Sequence, residues 1–200
     1  MARYYREFLT NPMIAFITSL AVVGLALTIV TFGGWRTVLY YFLGMTLYAV
    51  FEYVVHRYLL HEFPKLIPAM YRGHVAHHDH PNDIHHLFSP LRYDVSVYAV
   101  YFIILWALSR DLGIVVAWMA GTALFQLYYQ WMHYVAHRPI TPITPWGKWM
   151  RKKHLLHHFM DDHAWYGVSH PAMDYLMGTD KPQRKPRHAG VSAGSSRPVE

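Results

Sequence analysis

Two hundred residues suffice for one domain or one membrane bundle with a small cap, and the absence of cysteine excludes disulfide frameworks, zinc ribbons and thiolate nucleophiles. Apolar residues make up 54% of the chain, and 16 histidines outnumber the 12 acidic residues. The net charge of +6 has the sign for nucleic acid, but its distribution along the chain points to a membrane and excludes a nucleic-acid partner.

Residues 13–31 carry no charge and come close to the ~20 residues a helix needs to cross ~30 Å of hydrocarbon. No cleavage site follows, so the run reads as a retained span and not a signal peptide. After Gly33-Gly34, a second run covers residues 37–55 and is interrupted only by Glu52. A third covers 93–108, with Asp94 at its start, and a tight turn at 110–113 leads to a fourth at 114–132. A chain this short cannot surround four such helices with protein, so they are membrane spans. Arg36 and Arg110 are the only Lys or Arg in the turns within each hairpin. All the others fall in the N-terminal segment, the central loop and the C-terminal region. The positive-inside rule makes those parts cytoplasmic, in a bacterial inner membrane or the endoplasmic reticulum. From residue 181 the composition turns to Lys, Arg, Pro, Ser and Gly, which predicts a disordered basic tail over 181–200 after one integral membrane domain over 1–180.

Four histidine clusters lie at the cytoplasmic side: His56 with His61, then His74, His77 and His78, then His133 with His137, then His154, His157 and His158. Residues three and four apart share a helical face. The first histidine of each HxxHH therefore projects beside both members of the pair that follows. His133 and His137 are placed to grip one ion together. His56 and His61, five apart, share a face poorly and point to a helix end between them. Neutral imidazole suits iron, zinc or copper. Ten imidazoles are too many for one ion, so two ions is the economical count. At this histidine content roughly 0.1 HxxHH matches are expected by chance, and two occur.

Glu52, Asp83, Asp161 and Asp162 are candidates to hold a ligand's other N–H, with ordinary ion pairs to Arg57, Arg72 or Lys153 as the alternative. His80, His85 and His86 read as surface or supporting groups. His163 and His170 stay open between a supporting role and none, and His188 falls in the tail.

The order HxxxxH, HxxHH, HxxxH, HxxHH resembles the fatty acid hydroxylase and sterol desaturase superfamily, over about residues 50–180. His78 with Asp83, the stretch Leu87-Phe88-Ser89-Pro90, His133-Tyr134, Gly167-Val168-Ser169 and Asp174-Tyr175 look like the fatty acid 2-hydroxylase branch. The resemblance implies an all-α membrane fold, four transmembrane helices under a cytoplasmic helical cap with a histidine-ligated di-metal site. It also implies two iron ions, with zinc possible in a purified sample, O2 as co-substrate, and hydroxylation of a lipid acyl chain. Eukaryotic members often carry a fused haem-binding cytochrome domain. Nothing before residue 50 matches one, so the expected electron donor is a separate protein. Asp161 stands where some relatives carry a further histidine. The alternatives are a sterol or carotenoid hydroxylase or desaturase of the same superfamily, and a non-catalytic metal-binding membrane protein. Zinc in such a site would activate water, and a hydrolase would also want a placed carboxylate base and an oxyanion hole, for which no motif exists, whereas iron activates oxygen.

Overall fold

A computed structural model describes residues 2–183, so most of the predicted tail, with His188, lies outside the described residues. Every regular element of the described residues is a helix, with no strand among them. A short α1 (Ala2–Leu9) precedes α2 (Pro12–Val30) and α3 (Trp35–Val54). The helix of α3 continues without a break into a π-helical segment, Val55–Glu62. Then come α4 (Pro68–Asp79), α5 (Ile84–Leu87), α6 (Leu91–Ser109), α7 (Leu112–Ala136), α8 (Pro145–Phe159) and α9 (Ala172–Met177).

Local chemistry accounts for the helix ends. Asn11 accepts from the backbone N–H of Met13 at 3.0 Å, and Pro12 begins α2, where a missing N–H costs nothing. Arg110 turns left-handed to end α6 (φ 52°), and Asp111 at once caps α7 by accepting from Ile114 N–H at 3.2 Å. Thr144 caps α8 in the same way, at 3.0 Å from Gly147 N–H.

Four stretches are long and apolar enough to cross a membrane: Pro12–Val30, Trp35–Glu62, Ile84–Ser109 and Leu112–Ala136. Their outward side chains agree with that: Ile29, Val30, Trp35, Ile103 and Leu108 are 63–81% exposed, a cost in water that disappears in lipid. The protein is a multi-pass membrane protein. Each span runs a few residues past its apolar core because polar residues at the ends are helical too, most conspicuously 55–62.

α7 is the central helix and packs along both α2 and α3. Small residues allow the close approach. A β-carbon at Gly44 would strike the Trp118 carbonyl, and one at Gly121 the Tyr41 carbonyl. Thr122 donates across the same seam to the Gly44 carbonyl at 3.3 Å. α6 leans on α7 more loosely and leaves room between α3, α6 and α7.

α1, which composition alone did not reveal, is latched to the end of α7. Phe8 is buried against Phe88, Trp131 and Tyr134, and Glu7 pairs with the Arg138 guanidinium at 2.6 Å. The π-helical segment, α4, α5, α8 and α9 gather at this same end as a cap.

Candidate metal centre

The ten histidines of the four motifs meet where the cap covers the ends of α3 and α7. They form two groups of five: His56, His61, His74, His78 and His157, and His77, His133, His137, His154 and His158. Within each group one nitrogen per ring lies within 4.8 Å of all the others. Two imidazoles on one ion stand at most about 4.2 Å apart, given metal–nitrogen bonds near 2.1 Å. Each group therefore matches a coordination sphere to within a few tenths of an ångström per ring.

The π-helical segment explains the five-residue spacing. With i→i+5 hydrogen bonds the wider turn stacks residues five apart, so His56 and His61 share a face with ring centroids 5.2 Å apart. No helix end separates them, contrary to the expectation from spacing.

Each HxxHH motif splits between the groups. On α4, His74 and His78 join the first group and His77 the second. On α8, His154 and His158 join the second group and His157 the first. The i,i+4 pair stays together on one face, and the i+3 ring, rotated away from it, reaches the other group. The groups adjoin where the rings of His78 and His158 stack at 4.1 Å.

Facing nitrogens are close: His61 to His74 at 2.9 Å, His77 to His133 at 3.0 Å and His137 to His154 at 2.8 Å. Other ring nitrogens are buried without a hydrogen-bond partner among the described residues: Nε2 of His56 and His157, Nδ1 of His77 and His154, and both nitrogens of His158. Each such orphan costs about 1–3 kcal/mol, and a concentration of them is not tolerated without a reason. A cation at the centre of each group, taking one nitrogen per ring, supplies one for Nε2 of His56 and His157 and for one nitrogen of His158. Burial, reinforced by neighbouring imidazoles, lowers the imidazolium pKa of the cap histidines: His77 to about 2, His137 to about 3, and His74, His154, His157 and His158 well below the ordinary value. Burial also takes His78 down to about 4, against the opposing pull of Asp162. They are neutral at pH 7 and able to ligate.

Two ring orientations are held by the backbone. His56 Nδ1 donates to the Tyr166 carbonyl at 2.6 Å and His157 Nδ1 to the Ala164 carbonyl at 2.7 Å, which leaves Nε2 of each directed inward. The loop bearing those carbonyls is itself pinned twice. Glu52 accepts from Val168 N–H at 2.7 Å, from Ser169 N–H at 2.9 Å and from the Ser169 hydroxyl. Asp174 accepts from Tyr166 and Gly167 N–H, both at 2.9 Å, and from the Thr179 hydroxyl at 2.7 Å. Gly167 leaves no room for a side chain, since a β-carbon would meet the His170 carbonyl and the Asp174 carboxylate.

Glu52 thus acts one step further out than the N–H acceptor the sequence pointed to. Asp83 caps α5 by accepting from His85 N–H at 2.9 Å and lies 4.0 Å from His86. Asp161 accepts from His163 N–H, and Asp162 pairs with His163 Nδ1 at 2.6 Å. These three form a compact polar trio whose imidazole is 6.5 Å from that of His61. Arg57 pairs with Glu62 at 2.7 Å. His170 packs on Phe125, away from both groups. The carbonyls of Tyr166 and Ala164 escaped sequence reading because a backbone acceptor has no residue-type signature.

A cavity of about 720 Å³ opens between α3, α6, α7 and the cap. Histidines of both groups (His56, His74, His77 and His133) line one part, Tyr48, Phe51, Val97 and Tyr101 the apolar part, and His85 and His86 an exposed rim.

Membrane-spanning helices under a cap, with two imidazole groups able to hold metal ions beside one cavity with apolar walls, define a membrane protein with a candidate two-metal centre. The chain belongs to the fatty acid hydroxylase family, which it matches over residues 38–179. It is similar to the dihydroceramide fatty acyl 2-hydroxylases FAH1 and FAH2 of Arabidopsis thaliana. The identities are 29% and 30%, over 72% and 68% of this chain and 62% and 58% of those relatives. This chain therefore spans less than two thirds of either relative. Among solved structures it resembles full-length scs7p, of which only the hydroxylase domain is visible. The TM-score is 0.73 over 86% of this chain and 68% of that one, at 23% identity, a likeness of fold.

Proposed function

We propose that this chain is a two-iron membrane oxygenase that uses O2 to hydroxylate the acyl chain of a lipid. The observation that carries the reading is the pair of five-imidazole groups lining a single cavity with apolar walls between membrane-spanning helices. An all-nitrogen donor set suits iron, and the family membership favours hydroxylation over metal storage or transport. Iron, when bound, supplies the activation of O2 and the oxidising power to remove hydrogen from an unactivated C–H bond. One oxygen atom enters that bond and the other leaves as water, with two electrons and two protons drawn from a separate donor.

The chain's own residues do the rest. The ten histidines hold the ions. The Tyr166 and Ala164 carbonyls fix two rings, and the buried Glu52 and Asp174 fix the loop that carries those carbonyls. The aromatic and aliphatic walls around Phe51, Val97 and Tyr101 receive the acyl chain and exclude water from the reacting carbon. The distribution of basic residues supports a cytoplasmic site with both termini on that side, within reach of a separate donor protein.

The test is mass spectrometry of lipids from cells expressing the chain under 18O2. A lipid heavier by one 18O atom, absent with His77→Ala or His157→Ala, is the expected result. A desaturated product would assign the other outcome of hydrogen removal. An unchanged lipidome with two irons bound per chain would refute the enzyme reading.

A further inference from the structure

A carboxylate lies in the membrane part of the cavity, where the proposed chemistry has no use for it. Asp94, on the first turn of α6, is 8% exposed and lines the cavity. It accepts from the Gln126 amide at 2.6 Å and from the Ser89 hydroxyl at 3.0 Å. The Gln126 carbonyl in turn accepts from the Tyr98 hydroxyl at 2.8 Å. None of the salt bridges among the described residues involves Asp94. Gln126 and Tyr98 are each 4% exposed and also line the cavity.

An acid at this depth is costly, and apolar packing would join α6 to α7 without that penalty. Ionisable groups inside a membrane domain that face a cavity mark a ligand path. The array also retains hydrogen-bonding capacity: a second N–H on Gln126 and further lone pairs on Asp94. Gln126 precedes His133 by seven residues on one helix, about 10 Å of rise. A group held at Asp94 and Gln126 therefore lies several carbon–carbon bonds from the part of a chain presented to the histidines.

We propose that Asp94 and Gln126, braced by Ser89 and Tyr98, form a polar subsite inside the lipid cavity that binds a hydroxyl group of the substrate. The hydroxyl donates to the Asp94 carboxylate and accepts from the outer N–H of Gln126. The subsite selects a neutral, hydroxyl-bearing lipid and disfavours a carboxylate, which Asp94 would repel. It is a positioning site, and it rests on the proposal that this cavity takes the lipid.

The test is binding to the purified full chain in detergent micelles, read by tryptophan fluorescence with octadecan-1-ol and its methyl ether. The ether keeps the chain and the oxygen but has no proton to donate. The parent protein is expected to bind the alcohol about tenfold more tightly than the ether. Asp94→Asn should bring that ratio below about threefold with ether affinity and metal content unchanged. Gln126→Leu, which removes a donor that both oxygens can use, should instead weaken alcohol and ether by a similar factor, at least about threefold, with metal content unchanged. Equal affinities in the parent, a ratio that survives Asp94→Asn, or affinities unmoved by Gln126→Leu would overturn the subsite. If Asp94→Asn does not fold, the parallel weakening of both ligands in Gln126→Leu decides alone. Binding needs no turnover, so a selective parent that produces no hydroxylated lipid would count against the oxygenase reading and leave the subsite standing.

Discussion

The carboxylate of Glu52, in the membrane-spanning part of α3, receives both the backbone N–H and the hydroxyl of Ser169, which lies 117 residues further along the chain. The neighbouring Val168 N–H joins it at 2.7 Å. This knot fixes the loop whose Tyr166 carbonyl orients His56. Glu52→Ala strands three buried donors and should destabilise the fold by about 3 kcal/mol or more. Glu52→Gln keeps an accepting oxygen and should cost less than half as much. Thermal unfolding in detergent, with iron counted per chain, checks both. Equal behaviour of the two variants would mean that the loop does not depend on the acceptor.

Much of this was legible in residues and spacing. Uncharged runs gave the spans because hydrocarbon length sets helix length, and the HxxHH repeats gave the histidine set because an α-helix places i+3 and i+4 near one face. The allocation between groups was not legible. The rotation that separates His77 from His74 and His78 matters only once a second helix stands opposite, and that is a tertiary fact. Nor did the five-residue interval from His56 to His61 announce a π-helical turn, since the same interval fits a helix end. Asp94 stood out as a charge at the start of an apolar run, but its partner Gln126 lies 32 residues away on another helix.

The split of each HxxHH motif predicts an interaction between substitutions. His157 shares a group with His56 and not with its helix neighbour His154. The double variant His56→Ala/His157→Ala should therefore lose one ion and retain about one. The double variant His154→Ala/His157→Ala damages both groups and should retain close to none. Inductively coupled plasma mass spectrometry gives the counts. Equal loss in the two double variants would refute the division into two groups.

The α3–α7 seam makes a separate prediction. At Gly121 an added methyl group meets the Tyr41 carbonyl, so backbone opposes backbone and neither can swing aside. Gly121→Ala should cost about 1–3 kcal/mol by overpacking. Gly73 on α4 has open space at the same position, and there alanine should stabilise by up to about 1 kcal/mol through helix propensity alone. Unfolding midpoints of the two variants should move in opposite directions, and a harmless Gly121→Ala would deny the close approach of the helices.

Acid should unfold the metal-stripped protein early. In the unfolded chain each imidazole takes a proton near pH 6.5. In the fold, burial holds His78 neutral down to about 4, His137 to about 3 and His77 to about 2. Above pH 6.5 both states are neutral and the full stability is present. As pH falls from 6.5 toward those lowered values the unfolded state alone gains protons, so stability declines. Each group contributes about 1.4 kcal/mol per pH unit over that interval. Three such groups give a slope near 4 kcal/mol per unit between pH 6.5 and 4, enough to consume ordinary stability within two to three units. Bound metal competes with protons for the same nitrogens, so the loaded protein should hold to lower pH. Unfolding midpoints measured from pH 8 to 5, with and without chelator, supply the comparison. A flat profile for the stripped protein would mean that these rings are solvated, not enclosed.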